Sequence, residues 1–108
     1  MEPPIVVNEN GDITIFATIE AAVRYLEPVD VRNHEYVAYD SAGFMLRLFP
    51  SEPVVTVAGY TSEEPRASEL ERALRSFVAR ASGKSVPVQI KTLPDLVAFC
   101  VREYGYTE

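Results

Sequence analysis

The chain has 108 residues, of which 47% are hydrophobic and 24% charged, a size and composition that suit one domain with its own buried core, here taken as 1–108. Sixteen acidic against ten basic side chains leave a formal charge of −6, which argues against nucleic acid and anionic membranes as direct partners. The single cysteine, Cys100, excludes an intramolecular disulfide framework and a cysteine-rich metal site.

Ile5-Val6-Val7 and Ile13-Thr14-Ile15-Phe16 read as two strands joined by the turn-rich Asn8-Glu9-Asn10-Gly11-Asp12. Ile19, Ala22, Val23 and Leu26 then recur at helical spacing, with Thr18 placed as an N-cap and Pro28 just beyond the end. Residues 28–34 read as a polar connector. Glu35 to Tyr39 and Phe44 to Phe49 flank Asp40-Ser41-Ala42-Gly43, which predicts a hairpin with Tyr39 opposite Phe44 and a type I turn closed by Gly43. Pro50 and Pro53 bracket a loop before a further strand over Val54 to Ala58, ending at Gly59.

Thr61-Ser62-Glu63-Glu64 carries the pattern of a capping box, and Leu70, Ala73, Leu74, Phe77, Val78 and Ala81 continue the longest helix to Ser82-Gly83. Val86 to Ile90 suits a short strand. Thr92 and Pro94 open a last helix through Leu96, Val97, Cys100 and Tyr104, which Gly105 ends. Strands grouped together with helices toward the C-terminus predict an α+β fold. The expectation is an antiparallel sheet of four to five strands with two to three helices packed mainly on one side.

Most chemistry is discounted on spacing. Glycines at 11, 43, 59, 83 and 105 are too scattered for a phosphate-binding loop, and no D-x-D-x-D-G spacing supports a carboxylate metal site, so neither a metal nor a cofactor is expected. No G-x-S-x-G surrounds a serine, and no catalytic residue is assigned. His34 beside Glu35 and near Asp30 leaves an enzyme using a histidine and a carboxylate as one alternative. Cys100 lies in the apolar stretch Leu96 to Val101 and reads as a core thiol. That stretch is far short of the roughly 20 residues that span a bilayer, and Met1-Glu2-Pro3-Pro4 has neither the basic nor the apolar region of a signal peptide, so a cytoplasmic location is expected.

The charge is unevenly placed. Residues 1–60 hold nine acids and three bases, whereas residues 61–108 hold seven of each, so the whole imbalance lies in the first half. Tyr25, Tyr36 and Tyr39 fall in that same half, and tyrosine among acids suits a protein-binding face that steers a basic partner. The stretch Gly11-Asp12-Ile13-Thr14-Ile15-Phe16, Tyr25-Leu26-Glu27-Pro28-Val29-Asp30-Val31 and Glu35-Tyr36-Val37-Ala38-Tyr39-Asp40 with Gly43 resembles small bacterial immunity proteins of polymorphic or contact-dependent toxin systems. The resemblance covers residues 11–48. It implies a small, acidic, cytoplasmic, non-catalytic protein that occludes a toxin, often a basic nuclease. It also implies that Glu27, Asp30, Glu35 and Asp40, with Tyr36 among them, form the partner-binding set. A second alternative is a homodimer through Tyr36, Met45 and Phe49 on the reverse face of the predicted hairpin.

Overall fold

The computed structural model describes residues 1–107. The chain order is β1 (Ile5–Glu9), β2 (Asp12–Phe16), α1 (Ile19–Tyr25), α2 (Pro28–Arg32), β3 (Val37–Tyr39), β4 (Leu46–Phe49), β5 (Thr56–Tyr60), α3 (Ala67–Ser82) and α4 (Leu93–Tyr104). The fold is α+β. Its strands divide between two antiparallel sheets, β2-β1-β3 and β4-β5, rather than the one sheet of four to five strands expected.

The first hairpin follows from its loop. Asn10 and Gly11 have φ of 53° and 98°, the pair of left-handed residues that a two-residue turn needs to match strand twist, and Asn8 accepts from the Gly11 N–H at 2.7 Å. This sets Glu9 opposite Asp12 and Val6 opposite Ile15. On the other side of β1, Val6 faces Tyr39 and Val7 faces Ala38.

The central strand is apolar at consecutive positions, so both of its faces must be covered. Val6 joins Ile13, Ile15 and Tyr39 in a core closed by Leu70, Leu74 and Val78 of α3 and by Leu96, Val97 and Cys100 of α4. Ile5 and Val7 join Phe16 and Ala38 in a second core closed by Ala22 of α1, Val31 of α2, Leu46 of β4 and Val55. Helices therefore lie on both faces, which corrects the one-sided arrangement expected. The run Ile5-Val6-Val7 already carried that signal.

The link between the sheets lies at residues 39–46. The Asp40-to-Gly43 turn forms, with the Gly43 N–H donating to the Asp40 carbonyl at 3.1 Å. The expected register does not. Asp40 is opposite Phe44, since its backbone N–H donates to the Phe44 carbonyl at 3.0 Å and its own carboxylate accepts from the Phe44 N–H at 3.0 Å. Tyr39 is thereby set opposite Met45 in a single bridge, after which β4 leaves to pair with β5. The one-residue shift turns Met45 toward the α3/α4 core and Leu46 toward the other, because neighbouring strand residues point to opposite faces.

Three other expectations change. Residues 28–32 form the short helix α2, opened by Pro28, instead of a connector. The Thr61 N–H donates to the Met45 carbonyl at 2.9 Å and so continues the β4–β5 ladder, which leaves α3 to begin at Ala67 with no side-chain cap. Residues 86–90 form no strand: Pro87 accepts from the Ile90 N–H in a turn, and Val88 is 87% exposed. The caps at Thr18 and Thr92, and the glycines ending α3 and α4, lie where the sequence indicates.

Gly43 has φ 93°, and a Cβ added there would lie 2.8 Å from the Ala67 Cα. Gly43→Val is expected to lower the free energy of unfolding by about 3 kcal/mol or more, from backbone strain plus that clash. Gly59→Ala, at positive φ but with nothing within 4 Å, should cost only about 1–2 kcal/mol. Urea unfolding followed by circular dichroism separates the two, and equal effects would disprove the close approach at Gly43.

Candidate functional site

α2 and the return into β3 build an acidic cluster. His34 has φ 59° and donates its backbone N–H to Val31, so the chain doubles back and the Glu35 N–H donates to the Asp30 carbonyl at 2.9 Å. Glu35 and Tyr36 are brought over α2 by this reversal. The Tyr36 hydroxyl donates to Asp30 Oδ2 at 3.1 Å. Its ring lies 6.3 Å from that of Tyr25, which in turn lies 5.1 Å from Phe16, so an aromatic row backs the acids. Glu9 joins from the end of β1, whose Asn8 pairs with Val37.

The electrostatics of the cluster are those of crowded like charges. The Glu35 carboxyl is raised above the usual carboxylate range, first by a hydrogen bond with Asp30 and then by the Asp30 charge, with Glu9 adding to the effect. Tyr36 is raised as well, by burial first and then by its bond to Asp30. Among the described residues the ion pairs are Arg32–Glu52 at 3.3 Å, Arg66–Glu69 at 3.7 Å and Arg75–Glu71 at 3.1 Å. None of them neutralises Glu9, Glu27, Asp30 or Glu35. Arg32 of α2 spends its charge on Glu52 instead.

Of the five residues expected to bind a partner, Asp30, Glu35 and Tyr36 are brought together, and Glu27 stands exposed beside them at the N-cap of α2. Asp40 is a correction. It is 1% exposed and cannot present its charge to a partner. Its Oδ1 accepts from the N–H groups of Ala42 at 3.1 Å and Phe44 at 3.0 Å, and its Oδ2 from the Tyr60 hydroxyl at 3.0 Å and the Glu2 N–H at 3.3 Å. Burial and this bond raise the Tyr60 hydroxyl. Glu9 and Tyr25 are the members of the cluster that sequence reasoning left out of the set. The reversal at His34 that brings the strand end to them has no sequence signature, since the residue there is not glycine.

Tyr36, Met45 and Phe49 share no face: Met45 packs toward the α3/α4 core, Tyr36 toward the other, and Phe49 is exposed. That removes the expected seam. His34 is exposed at the rim of a cavity of about 200 Å³, and among the described residues no hydrogen bond orients it on a carboxylate. Cys100 is buried, and burial pushes its thiol up to about 11. Among the described residues no three His, Cys, Asp or Glu side chains are arranged to hold a metal ion, and no helix is long and apolar enough to cross a membrane. Comparison with protein-family models, with curated proteins and with solved structures finds no match to the chain.

Asp30→Asn is expected to bring the Glu35 carboxyl back toward its ordinary range, as read by NMR titration of the Glu35 side chain. Because the folded state holds this proton more tightly than the unfolded chain, its contribution to stability is present below the usual carboxyl range and is lost as pH rises through the raised value. The substitution should flatten that loss. An unchanged titration in Asp30→Asn would mean that Asp30 is not its cause.

Proposed function

We propose that the chain is a non-catalytic protein-binding domain, most concretely an immunity protein that neutralises a cognate toxin in the bacterial cytoplasm. The surface it uses is the cluster of Glu9, Glu27, Asp30 and Glu35 with Tyr25 and Tyr36. The observation that carries this reading is the crowding of acids with, among the described residues, no base paired to them, Asp30 and Glu9 lying near enough to raise the Glu35 carboxyl. Such a cluster is a receptor for a cation. An arginine fork of a basic toxin domain matches the geometry of neighbouring carboxylates and answers their charge. Tyr25 and Tyr36 supply apolar contact at low entropic cost beside the charges. A histidine without an oriented carboxylate gives the enzyme reading no comparable support.

The test is co-expression with the product encoded beside this chain, followed by titration calorimetry of the purified pair. A stable complex is expected, weakening about tenfold or more between low and high salt, since exposed charges are screened beyond a Debye length. Glu27→Lys and Glu35→Lys should each weaken it further, mainly by slowing association. A cationic partner favours the ionised carboxylates, so affinity should rise as pH rises through the raised Glu35 value. A complex indifferent to salt and to both substitutions rejects this surface, and no complex with any neighbouring product rejects the immunity reading.

A further inference from the structure

At the other end of β1 from Glu9, a groove of about 500 Å³ opens between α4 and the N-terminal segment. This lies within the usual range for small-ligand sites, roughly 300–1,000 Å³. One wall is a helical stripe of α4, where Pro94, Val97 and Val101 recur at spacings of three and four, with Ala98 exposed between them. The facing wall is Pro4 and Ala42, and Tyr106 closes one side. The facing wall is fixed rather than loose. The Ser41 N–H donates to the Glu2 carbonyl at 2.9 Å, and the Glu2 N–H reaches the buried Asp40 carboxylate at 3.3 Å.

Two charges of opposite sign stand on the two walls, Glu2 on the N-terminal segment and Arg102 on α4. Neither forms an ion pair among the described residues. The Arg102 guanidinium carbon lies 5.6 Å from the Phe99 ring centroid, a contact that steadies it without using its hydrogen-bond donors. A purely aliphatic ligand would leave both charges unanswered, and a simple anion or cation would meet one of them with the wrong sign. What answers all three features is a molecule with an apolar middle, an ammonium at one end and a carboxylate at the other.

We propose that this groove binds a short apolar peptide by both ends, its aliphatic side chains on the α4 stripe, its ammonium at Glu2 and its carboxylate at Arg102. Three extended residues span about 10 Å, which sets the ammonium and the carboxylate at opposite ends of the apolar side chains. The proposal stands apart from the acidic cluster of α2 and does not depend on it.

The probe is valyl-alanyl-valine, titrated into ¹⁵N-labelled full-length protein and compared with its N-acetyl and C-terminal amide forms. Saturable shifts are expected at Ser41, Ala42 and the α4 amides from Val97 to Arg102, with a dissociation constant on the order of 0.1 mM. Each cap should weaken binding about three- to tenfold. The penalty of the acetyl cap should vanish in Glu2→Gln, and that of the amide cap in Arg102→Gln, both of which keep the backbone bonds of the walls. Ala98→Phe, which fills the groove, should abolish the shifts, and should it fail to fold, the caps on the unaltered protein decide alone. The absence of saturable shifts at 5 mM on this peptide scale overturns the proposal. Equal binding of all three peptides also overturns it, assigning only adventitious apolar contact.

Discussion

The Asp40 carboxylate is the interaction on which the connection of the two sheets depends. A buried charge is costly unless hydrogen bonds replace its water, and Asp40 has four donors, from Glu2, Ala42, Phe44 and Tyr60. Those donors come from the N-terminal segment, the turn and the end of β5. A single side chain therefore fixes where β3 stops, how the turn closes and where β5 lies across it. The Asp40 backbone and carboxylate both engage Phe44 beside the turn, and Tyr39 and Met45 form a single bridge before β4 pairs with β5. The same bonds hold the N-terminal wall of the groove against Ser41, so a residue that reads as part of an acidic surface acts as an internal joint.

β1 supplies the second constraint. With Ile5, Val6 and Val7 almost wholly buried, the strand has no face left for solvent and separates two cores. α3 and α4 cover one, while α1, α2 and the β4–β5 sheet cover the other. The charge follows this division. The half of the chain from residue 61 is neutral and supplies α3 and α4, whereas the net −6 belongs to the half that builds α1, α2 and all five strands. Within that half, burial removes Asp40 from the surface and Arg32 answers Glu52. Of the acids left without a base among the described residues, Glu9, Glu27, Asp30 and Glu35 gather around α2.

The two candidate surfaces occupy opposite ends of β1 and have different chemistry. Around Glu9, like charges crowd and, among the described residues, no base pairs with them, which suits a basic group. Around Glu2, opposite charges stand apart across an apolar floor, which suits a ligand carrying both. Their separation by the length of a buried strand lets each be altered without dismantling the other.

Local signals were legible in the sequence wherever one residue type meets one backbone requirement. The turn-rich stretch from Asn8 to Asp12 placed the first hairpin, though the strands run on to Glu9 and Asp12 and leave only Asn10-Gly11 as the turn; Thr18 and Thr92 determined two helix starts, Gly83 and Gly105 two helix ends, and the spacing of Leu70, Leu74 and Val78 the buried face of α3. The consecutive apolar residues of β1 also required cover on both faces. The acidic character of the first half follows from composition and placement along the chain, whereas Glu27, Asp30, Glu35 and Tyr36, together with the buried Asp40, are singled out only by what the resemblance to immunity proteins implies. Only the tertiary structure decided the register at Tyr39, the split into two sheets, the burial of Asp40 and the arrival of Glu9 beside Glu35. Each of these turns on which hydrogen-bond donors reach a group from distant parts of the chain. That is set by the packing of whole elements, and no local pattern of residues encodes it.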